Sequence, residues 1–153
     1  MNKVQLSAVT DDNLNKVLDI QIHEHQQTFL PTIRSSLNLA SKYPDAHPLV
    51  IEADDQVCGF ALYGIDEETG YWKIFRLYID KRYQSQGLGL RVMVMLLDLL
   101  HKERGAGEVL IVYNYSNAVA KRLYSKLGFD EYDRKGDKVL AKITLSDRHI
   151  TCS

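Results

Sequence analysis

The feature that most constrains how this chain folds is a long apolar run over residues 90–100, which lies between two strand-like segments. Its apolar side chains recur at helical spacing and also fill neighbouring positions, which predicts a helix packed on more than one side. The segment before it, Trp72–Ile79, reads as a strand, and 109–113 after it is a continuous apolar run typical of a buried strand. Strand, helix and strand therefore predict one right-handed crossover unit.

A polar turn with two glycines joins the first of these strands to the helix. It reads Tyr83, Gln84, Ser85, Gln86, Gly87, Leu88, Gly89 and Leu90. A turn that opens into a helix leaves backbone N–H groups unpaired, and the helix dipole adds partial positive charge beside them. Such a turn suits a phosphate group. On this loop alone, an ordinary turn with glycines at unusual backbone angles explains the residues equally well.

The rest of the chain predicts short strands and helices around this unit, in the order β-α-α-β-β-β-α-β-α-β-β. Periodicity, N-cap side chains and turn residues mark their bounds. The predicted elements are a strand over 4–9, a helix from Leu14 to about Thr28, a short helix through Ile33, Leu37 and Ala40, a hairpin of 49–53 and 57–63, a helix over 118–127 that ends at Gly128, and a final hairpin of 129–134 and 139–144.

Size and composition indicate one domain with an ordinary core. The chain has 153 residues, 45% of them hydrophobic, and we predict a single domain over 1–146 with a polar, poorly ordered tail over 147–153. The formal net charge of −1 provides no overall field that would favour nucleic acid or an anionic membrane. A charged partner must therefore be bound by a local group of residues.

The cysteines and the apolar runs indicate the compartment. Cys58 lies in an apolar strand-like run and Cys152 near the C-terminus, so they form neither a disulfide framework nor a pair of metal ligands. No run approaches the ~20 apolar residues that a membrane span needs, and residues 1–9 lack the apolar core of a signal peptide. We therefore expect an unprocessed cytoplasmic protein.

Two motifs on these predicted elements resemble the GNAT family of acetyl-CoA-dependent N-acetyltransferases. One is the pattern Gln84-x-x-Gly87-x-Gly89 after a strand, and the other is the segment 117–129, which reads NAVAKRLYSKLGF. The predicted element order resembles the same family along nearly the whole chain. The resemblance implies a mixed α/β fold, with a central, mostly antiparallel sheet of about seven strands and about four helices.

The resemblance gives the loop a ligand, acetyl-CoA (coenzyme A). In the family the first motif residue is usually arginine and the next often glycine, whereas this chain has Gln84 and Ser85, so one fixed positive charge is absent. Main-chain N–H groups must then hold the pyrophosphate, while Lys81 and Arg82 either meet a phosphate or are solvated surface. The cofactor-binding residues that the resemblance implies are Leu77, Tyr78, Ile79, Gln84, Ser85, Gln86, Gly87, Leu88, Gly89, Leu90, Asn117, Lys121 and Tyr124.

The resemblance also implies how the thioester is handled. Main-chain groups of Leu77 and Ile79 would bind the pantetheine arm, and a backbone N–H near Leu77 or Tyr78 would polarise the acetyl carbonyl. Tyr124 matches the family tyrosine that protonates the departing thiolate, although a helix aromatic packed in the core explains it too. Asn117, on nearly the same helix face, contacts the cofactor, caps its helix, or does both.

A general base is not identified by the sequence. Some family members use a carboxylate on the fourth strand, but residues 74–78 contain none. We expect a water relay to an acid elsewhere, with Glu24 a candidate that also reads as part of a solvated helix face. His23 and His25, two apart on a predicted helix, point to different sides, so no metal site is predicted.

Charge and resemblance together suggest the acceptor. The acidic turn 66–68, with 54–55 and Glu24 as possible neighbours, would attract a polycation, although charged turns are more often just solvated. Within the family, segments 8–13 and 59–64 resemble bacterial spermine/spermidine acetyltransferases, as does the pair at 83–84. This favours direct acetyl transfer to spermidine or spermine in a ternary complex.

Three alternatives stay open. The acceptor can be another primary amine, such as a peptide N-terminus or an aminoglycoside. The protein can also be an acyl-CoA-binding sensor without catalysis, since the loop lacks its usual arginine and the strand lacks a carboxylate. Neither nucleic acid nor membrane is expected as a partner, and the family likeness is compatible with a homodimer.

Overall fold

The computed structural model describes residues 3–24 and 31–146, and in this part of the chain the elements follow the predicted order. The strands are β1 (Val4–Ala8), β2 (His47–Ala53), β3 (Gln56–Ile65), β4 (Trp72–Ile79), β5 (Glu108–Asn114), β6 (Asp130–Lys135) and β7 (Lys138–Thr144). The helices are α1 (Leu14–Leu18), α2 (Ile33–Lys42), α3 (Leu88–Arg104) and α4 (Ala118–Leu127), and a short 3₁₀ helix (Lys81–Tyr83) precedes α3.

The strands form one seven-stranded sheet in the order β1-β2-β3-β4-β5-β7-β6. β4 and β5 run parallel, with Trp72 opposite Val109 and Ile74 opposite Ile111, as expected for strands joined by a crossover helix. The pairs β1/β2, β2/β3, β5/β7 and β6/β7 are antiparallel. The predicted mixed α/β fold with a mostly antiparallel sheet is therefore confirmed.

The first helix is much shorter than predicted. The helix expected from Leu14 to about Thr28 ends at Leu18, so the prediction is wrong for residues 19–23. Glu24 is again helical, and the rest of the predicted helix lies outside the described residues. The main chain turns instead toward the segment after β4, where the carbonyl of Gln21 accepts a hydrogen bond from the Lys81 N–H at 2.7 Å. Tertiary hydrogen bonds thus use backbone groups that a longer helix would have needed.

The other predicted bounds are close to those of the structure. β4 and α4 have the predicted bounds, whereas α3 begins at Leu88, so Leu88 and Gly89 belong to the helix rather than to the loop. The short second helix is α2, whose N-cap Thr32 accepts a hydrogen bond from the Ser35 N–H at 3.1 Å. The 3₁₀ helix was not predicted.

Backbone contacts group the chain into two compact units. The first comprises the described residues up to Gly64 together with Phe75–Leu88, and its core consists of Val17, Ile33, Val50, Phe60, Leu62 and Tyr78. The second comprises Ile65–Ile74 and the described residues from Gly89 onward. The expected single domain over 1–146 stays a prediction.

In the second unit, the buried side chains of α3 form one broad face of the helix and are Val92, Met93, Leu96, Leu97 and Leu100. The predicted packing of this helix on more than one side stays a prediction. Within the described residues, no helix combines the length and the apolar character that a membrane crossing requires.

Candidate active site

The predicted phosphate loop follows the 3₁₀ helix and contains two residues at positive φ. Ser85 has φ 64° and Gly87 has φ 76°. This left-handed conformation suits glycine, and it costs an ordinary L-residue about 1–2 kcal/mol. A Cβ added to Gly87 would meet no atom within 4 Å, so the space beside the loop is open. The loop therefore contains two left-handed residues, and the space beside Gly87 is open.

Gln84 stands where the family usually has arginine, and its side chain is turned back toward the strand. Its Nε2 donates a hydrogen bond to the carbonyl of Ile79 at 2.7 Å. The amide therefore ties the start of the loop to the end of β4. The fixed positive charge of an arginine is absent at this position, and phosphate binding by the main chain of the loop stays a prediction.

The side chain of Tyr78 is buried in the core of the first unit, a role that the sequence did not reveal. Its hydroxyl donates a hydrogen bond to the carbonyl of Pro31 and lies 3.3 Å from the hydroxyl of Ser36. Burial raises the pKa of Tyr78, while the Ser36 hydroxyl and the charge of Arg76 act in the opposite direction. Tyr78 is therefore a neutral residue that links β4 to the start of α2.

A cavity of about 640 Å³ opens beside Tyr78. Its apolar wall comes from Ile20, Ile22 and Ile33 together with the Tyr78 ring. The charged residues lining it are Glu24 and Lys81. The sequence candidate Glu24 thus lines a cavity of mixed apolar and polar character, although it is not on the continuous first helix that was predicted.

No general base is found on β4. Arg76 lies in the middle of the strand, where its Nη1 donates a hydrogen bond to the carbonyl of Phe75 at 2.7 Å. Glu24 is the carboxylate that lines the cavity, and it is exposed. No group of three or more metal-ligating side chains occurs among residues 3–24 and 31–146, and His25 lies outside them.

In the second unit, Asn117 caps α4. Its side-chain oxygen accepts a hydrogen bond from the Ala120 N–H at 3.1 Å, which confirms the predicted capping role. The helix ends at Gly128, whose φ of 104° is the left-handed conformation of a helix C-cap. Contact of Asn117 with the cofactor stays a prediction.

Tyr124 lies on α4 between two other aromatic rings. The centroid of the Tyr113 ring is 5.4 Å away and that of Phe129 is 5.7 Å away. Burial raises the pKa of Tyr124 to about 12. The ring is thus held by packing, and its hydroxyl keeps its proton at neutral pH, as a general acid must.

The second motif glycine lies next to α4. A Cβ added to Gly89 would lie 3.8 Å from Cδ2 of Leu123, the residue before Tyr124. The start of α3 and the helix that carries Asn117 and Tyr124 are therefore adjacent within this unit. Lys121 is exposed on α4 and Leu90 is half-buried on α3.

In the acidic turn 66–68, the carboxylates of Asp66 and Glu68 interact with neighbouring residues. The carboxylate of Asp66 accepts hydrogen bonds from the N–H and hydroxyl of Thr69 and lies 3.7 Å from Lys73 Nζ. Glu68 lies 3.9 Å from Lys135 Nζ. These acids serve the turn and its ion pairs, which weakens the case for them as a polycation site.

A model of the acetyltransferase (GNAT) family matches residues 14–129. The chain belongs to this family and is an acetyl-CoA-dependent N-acetyltransferase. It is 29% identical to the spermine/spermidine N(1)-acetyltransferase of Bacillus subtilis (strain 168), over 91% of this chain and 97% of that protein.

Two further comparisons bear on the acceptor and the fold. The chain is 40% identical to the ribosomal protein bS18-alanine N-acetyltransferase of Escherichia coli (strain K12), over 44% of this chain and 42% of that protein. The structure of spermidine N-acetyltransferase from Vibrio cholerae, in complex with CoA and spermine, matches with a TM-score of 0.76. That match covers 94% of this chain and 96% of the other at 15% identity, so it shows the shared fold alone.

Proposed function

We propose that this acetyltransferase acts on a polyamine such as spermidine or spermine, by direct attack of a primary amine in a ternary complex. The Bacillus subtilis relative, which covers nearly the whole chain, is the observation that carries this choice. The cavity beside Tyr78 supports it, because an apolar wall with Glu24 at the lining suits an alkyl chain that ends in an ammonium group.

The cofactor-binding residues that we propose lie on the end of β4, on the loop and on α4. Backbone groups of Leu77, Tyr78 and Ile79 bind the pantetheine arm, and N–H groups from Gln84 to Leu90 hold the pyrophosphate. The positive φ angles of Ser85 and Gly87 and the open space at Gly87 support this assignment. Asn117, Lys121 and Tyr124 complete the set.

The chemistry that we propose needs two proton movements. Acetyl-CoA supplies the activated thioester. The Tyr124 hydroxyl donates its proton to the departing sulfur as the acceptor nitrogen bonds to the carbonyl carbon. The acceptor nitrogen must enter as a neutral amine, and we assign the removal of its proton to a water relay that ends at Glu24. A backbone N–H near Leu77 or Tyr78 stabilises the charge that develops on the carbonyl oxygen.

A second candidate acceptor is a protein N-terminal amine. The Escherichia coli relative is more similar in sequence than the Bacillus subtilis one, but over less than half of each chain. The cavity lining mixes apolar and polar side chains, so it does not separate the two acceptors. We rank the polyamine first because the Bacillus subtilis relative matches nearly the whole chain.

Steady-state assays of thiol release test the acceptor directly. The panel contains spermidine, spermine, a peptide with N-terminal alanine, and an aminoglycoside, each at several concentrations. We expect the highest kcat/KM for spermidine or spermine. A higher value for the peptide would replace the polyamine by a protein N-terminus. Calorimetric binding of acetyl-CoA without turnover of any amine would indicate a sensor instead.

The compartment and the oligomeric state of the protein are also proposals. We propose that it works in the cytoplasm, since the buried Cys58 is a free thiol among the described residues. We also propose a homodimer. Light scattering of the purified protein measures the oligomeric state, and a monomer at all concentrations would contradict the dimer.

A further inference from the structure

Asp80 is a buried residue at the junction of three segments in the first unit. It is 1% exposed. Its N–H donates a hydrogen bond to the carbonyl of Cys58 on β3 at 2.8 Å, and its own carbonyl accepts one from the Tyr83 N–H at 2.8 Å. The main chain of Asp80 therefore closes β4 and begins the 3₁₀ helix that leads into the phosphate loop.

The carboxylate of Asp80 accepts four hydrogen bonds. Oδ1 accepts from the backbone N–H and the Nε of Arg82, both at 3.0 Å. Oδ2 accepts from Nη2 of Arg82 at 3.0 Å and from the backbone N–H of Gln21 at 3.3 Å. A buried carboxylate requires such donors, and each oxygen here has its own set.

The charge of this carboxylate is stabilised by its partners. Burial by itself raises the pKa of Asp80, but the hydrogen bonds from Arg82 and Gln21 and the charge of Arg82 outweigh it. The pKa is therefore held below its ordinary value, and the group is ionised at neutral pH.

The two partners of Asp80 belong to different parts of the first unit. Gln21 lines the cavity beside Tyr78, and its carbonyl is held by the Lys81 N–H at 2.7 Å. Arg82 lies in the 3₁₀ helix that precedes Gln84 and the phosphate loop. One carboxylate thus fixes the wall of the cavity and the entry to the loop.

We propose that Asp80 is a positioning residue for both substrates, which holds the acceptor cavity at Gln21 and the phosphate loop at Arg82 in one arrangement. The inference rests on the proposed function, because it takes the cavity as the amine site and the loop as the acetyl-CoA site. Asp80 contacts neither substrate itself.

The Asp80→Asn variant separates this role from a purely structural one. An asparagine has a single acceptor oxygen, so it cannot serve both sets of donors. We expect KM for spermidine and the Kd for acetyl-CoA each to rise about tenfold, as follows from the loss of a charge-assisted hydrogen bond. Asp98→Asn, on the exposed face of α3 where Asp98 pairs with Lys102, is the matched control and should change neither constant.

A second variant separates the effect of the Asp80–Arg82 contact from that of the Asp80–Gln21 contact. Arg82→Met removes the guanidinium but leaves the Asp80 carboxylate to accept from Gln21. We expect it to raise the Kd for acetyl-CoA while KM for spermidine stays within about twofold of the wild-type value. The proposal is overturned if Asp80→Asn leaves both constants unchanged, or if it changes only one of them.

Hydrogen exchange on the wild-type protein decides the matter if Asp80→Asn does not fold. We expect deuterium uptake in a peptide over residues 18–24 to slow when CoA is added, because the loop and Gln21 are linked through Asp80. Unchanged uptake would overturn the link. A wild-type protein that binds acetyl-CoA without turning over any amine would instead contradict the proposed function, so the two failures are distinguishable.

Discussion

The rings of Tyr113 and Tyr124 pack together with centroids 5.4 Å apart and an interplanar angle of 47°. The hydroxyl of Tyr113 donates a hydrogen bond to the carboxylate of Glu131, which fixes that ring in place. On its other side, Tyr124 meets Phe129 edge-on. Among the described residues, the proposed general acid is thus held by aromatic packing on its two sides.

Replacing this hydroxyl tests the acid. We expect Tyr124→Phe to lower kcat by about a hundredfold, a typical contribution of general acid catalysis, with little change in acetyl-CoA affinity. The phenyl ring keeps its contacts with Tyr113 and Phe129, so thermal stability should be nearly unchanged. Tyr132→Phe, at a residue that is 46% exposed on β6, is the control. Equal kcat values for Tyr124→Phe and the wild type would remove Tyr124 as the acid.

The raised pKa of Tyr124 makes a prediction about pH. Burial raises this pKa from 10.0 to about 12, so the protonated form that acts as acid persists throughout the range below pH 10. The contribution of the neutral phenol to folding is likewise complete below the unfolded pKa and is lost as the pH rises toward the folded one. We therefore expect kcat of the wild type and of Tyr124→Phe to depend on pH in the same way below pH 10. A decrease of kcat below pH 10 that occurs in the wild type but not in Tyr124→Phe would contradict the assignment of Tyr124 as the acid.

Two glycines offer a matched test of the loop conformation. Neither Gly87 nor Gly107 has an atom within 4 Å of an added Cβ, but only Gly87 has a positive φ. Gly87→Ala should therefore destabilise the protein by about 1 kcal/mol and weaken acetyl-CoA binding. Gly107→Ala should be neutral or stabilise by about 0.5 kcal/mol. Urea unfolding and calorimetry measure both effects, and identical behaviour of the two variants would show that the left-handed turn is unimportant.

Introducing an arginine at position 84 is expected to raise the affinity for acetyl-CoA. Gln84→Arg loses a neutral hydrogen bond to Ile79, worth about 1 kcal/mol, but adds a fixed charge beside the proposed pyrophosphate site. We expect tighter acetyl-CoA binding at low salt and a steeper loss of affinity as salt is added. Gln5→Arg on the exposed face of β1 is the control for net charge. Unchanged or weaker binding at low salt would argue against a phosphate at this position.

Glu24 is the acid through which the acceptor proposal is tested. We expect Glu24→Gln to reduce kcat/KM for spermidine severalfold, because the cavity loses its carboxylate. Glu103→Gln on the exposed part of α3 removes the same charge elsewhere and should have no effect. If both variants behave like the wild type, the amine is bound somewhere other than this cavity.

Local signals in the sequence predicted most of the fold. The strand Trp72–Ile79 and helix α4 were placed correctly because alternation, the Asn117 cap and Gly128 act within a few residues. The first helix was overextended because its end depends on tertiary bonds to the segment after β4, which no local pattern reveals. Helix propensity is weak enough for such bonds to override it.

The candidate site was predictable only in part. Motif spacing singled out the loop and Tyr124, whose roles stay predictions, but the buried hydroxyl of Tyr78 became evident only once Pro31 and Ser36 were placed beside it. Asp80 was also missed, although an aspartate directly after a strand and before a turn is a capping signal. Its bond to Gln21 joins residues 59 positions apart, a separation beyond the reach of sequence patterns.

The measurement that tests this account most directly is thiol release from acetyl-CoA in the presence of spermidine, with the product identified by mass spectrometry. We predict that free CoA and N-acetylspermidine form in equal amounts, and that Tyr124→Phe slows both to the same extent. Thiol release that is independent of added amine, with no acetylated spermidine, spermine or peptide formed, would contradict it.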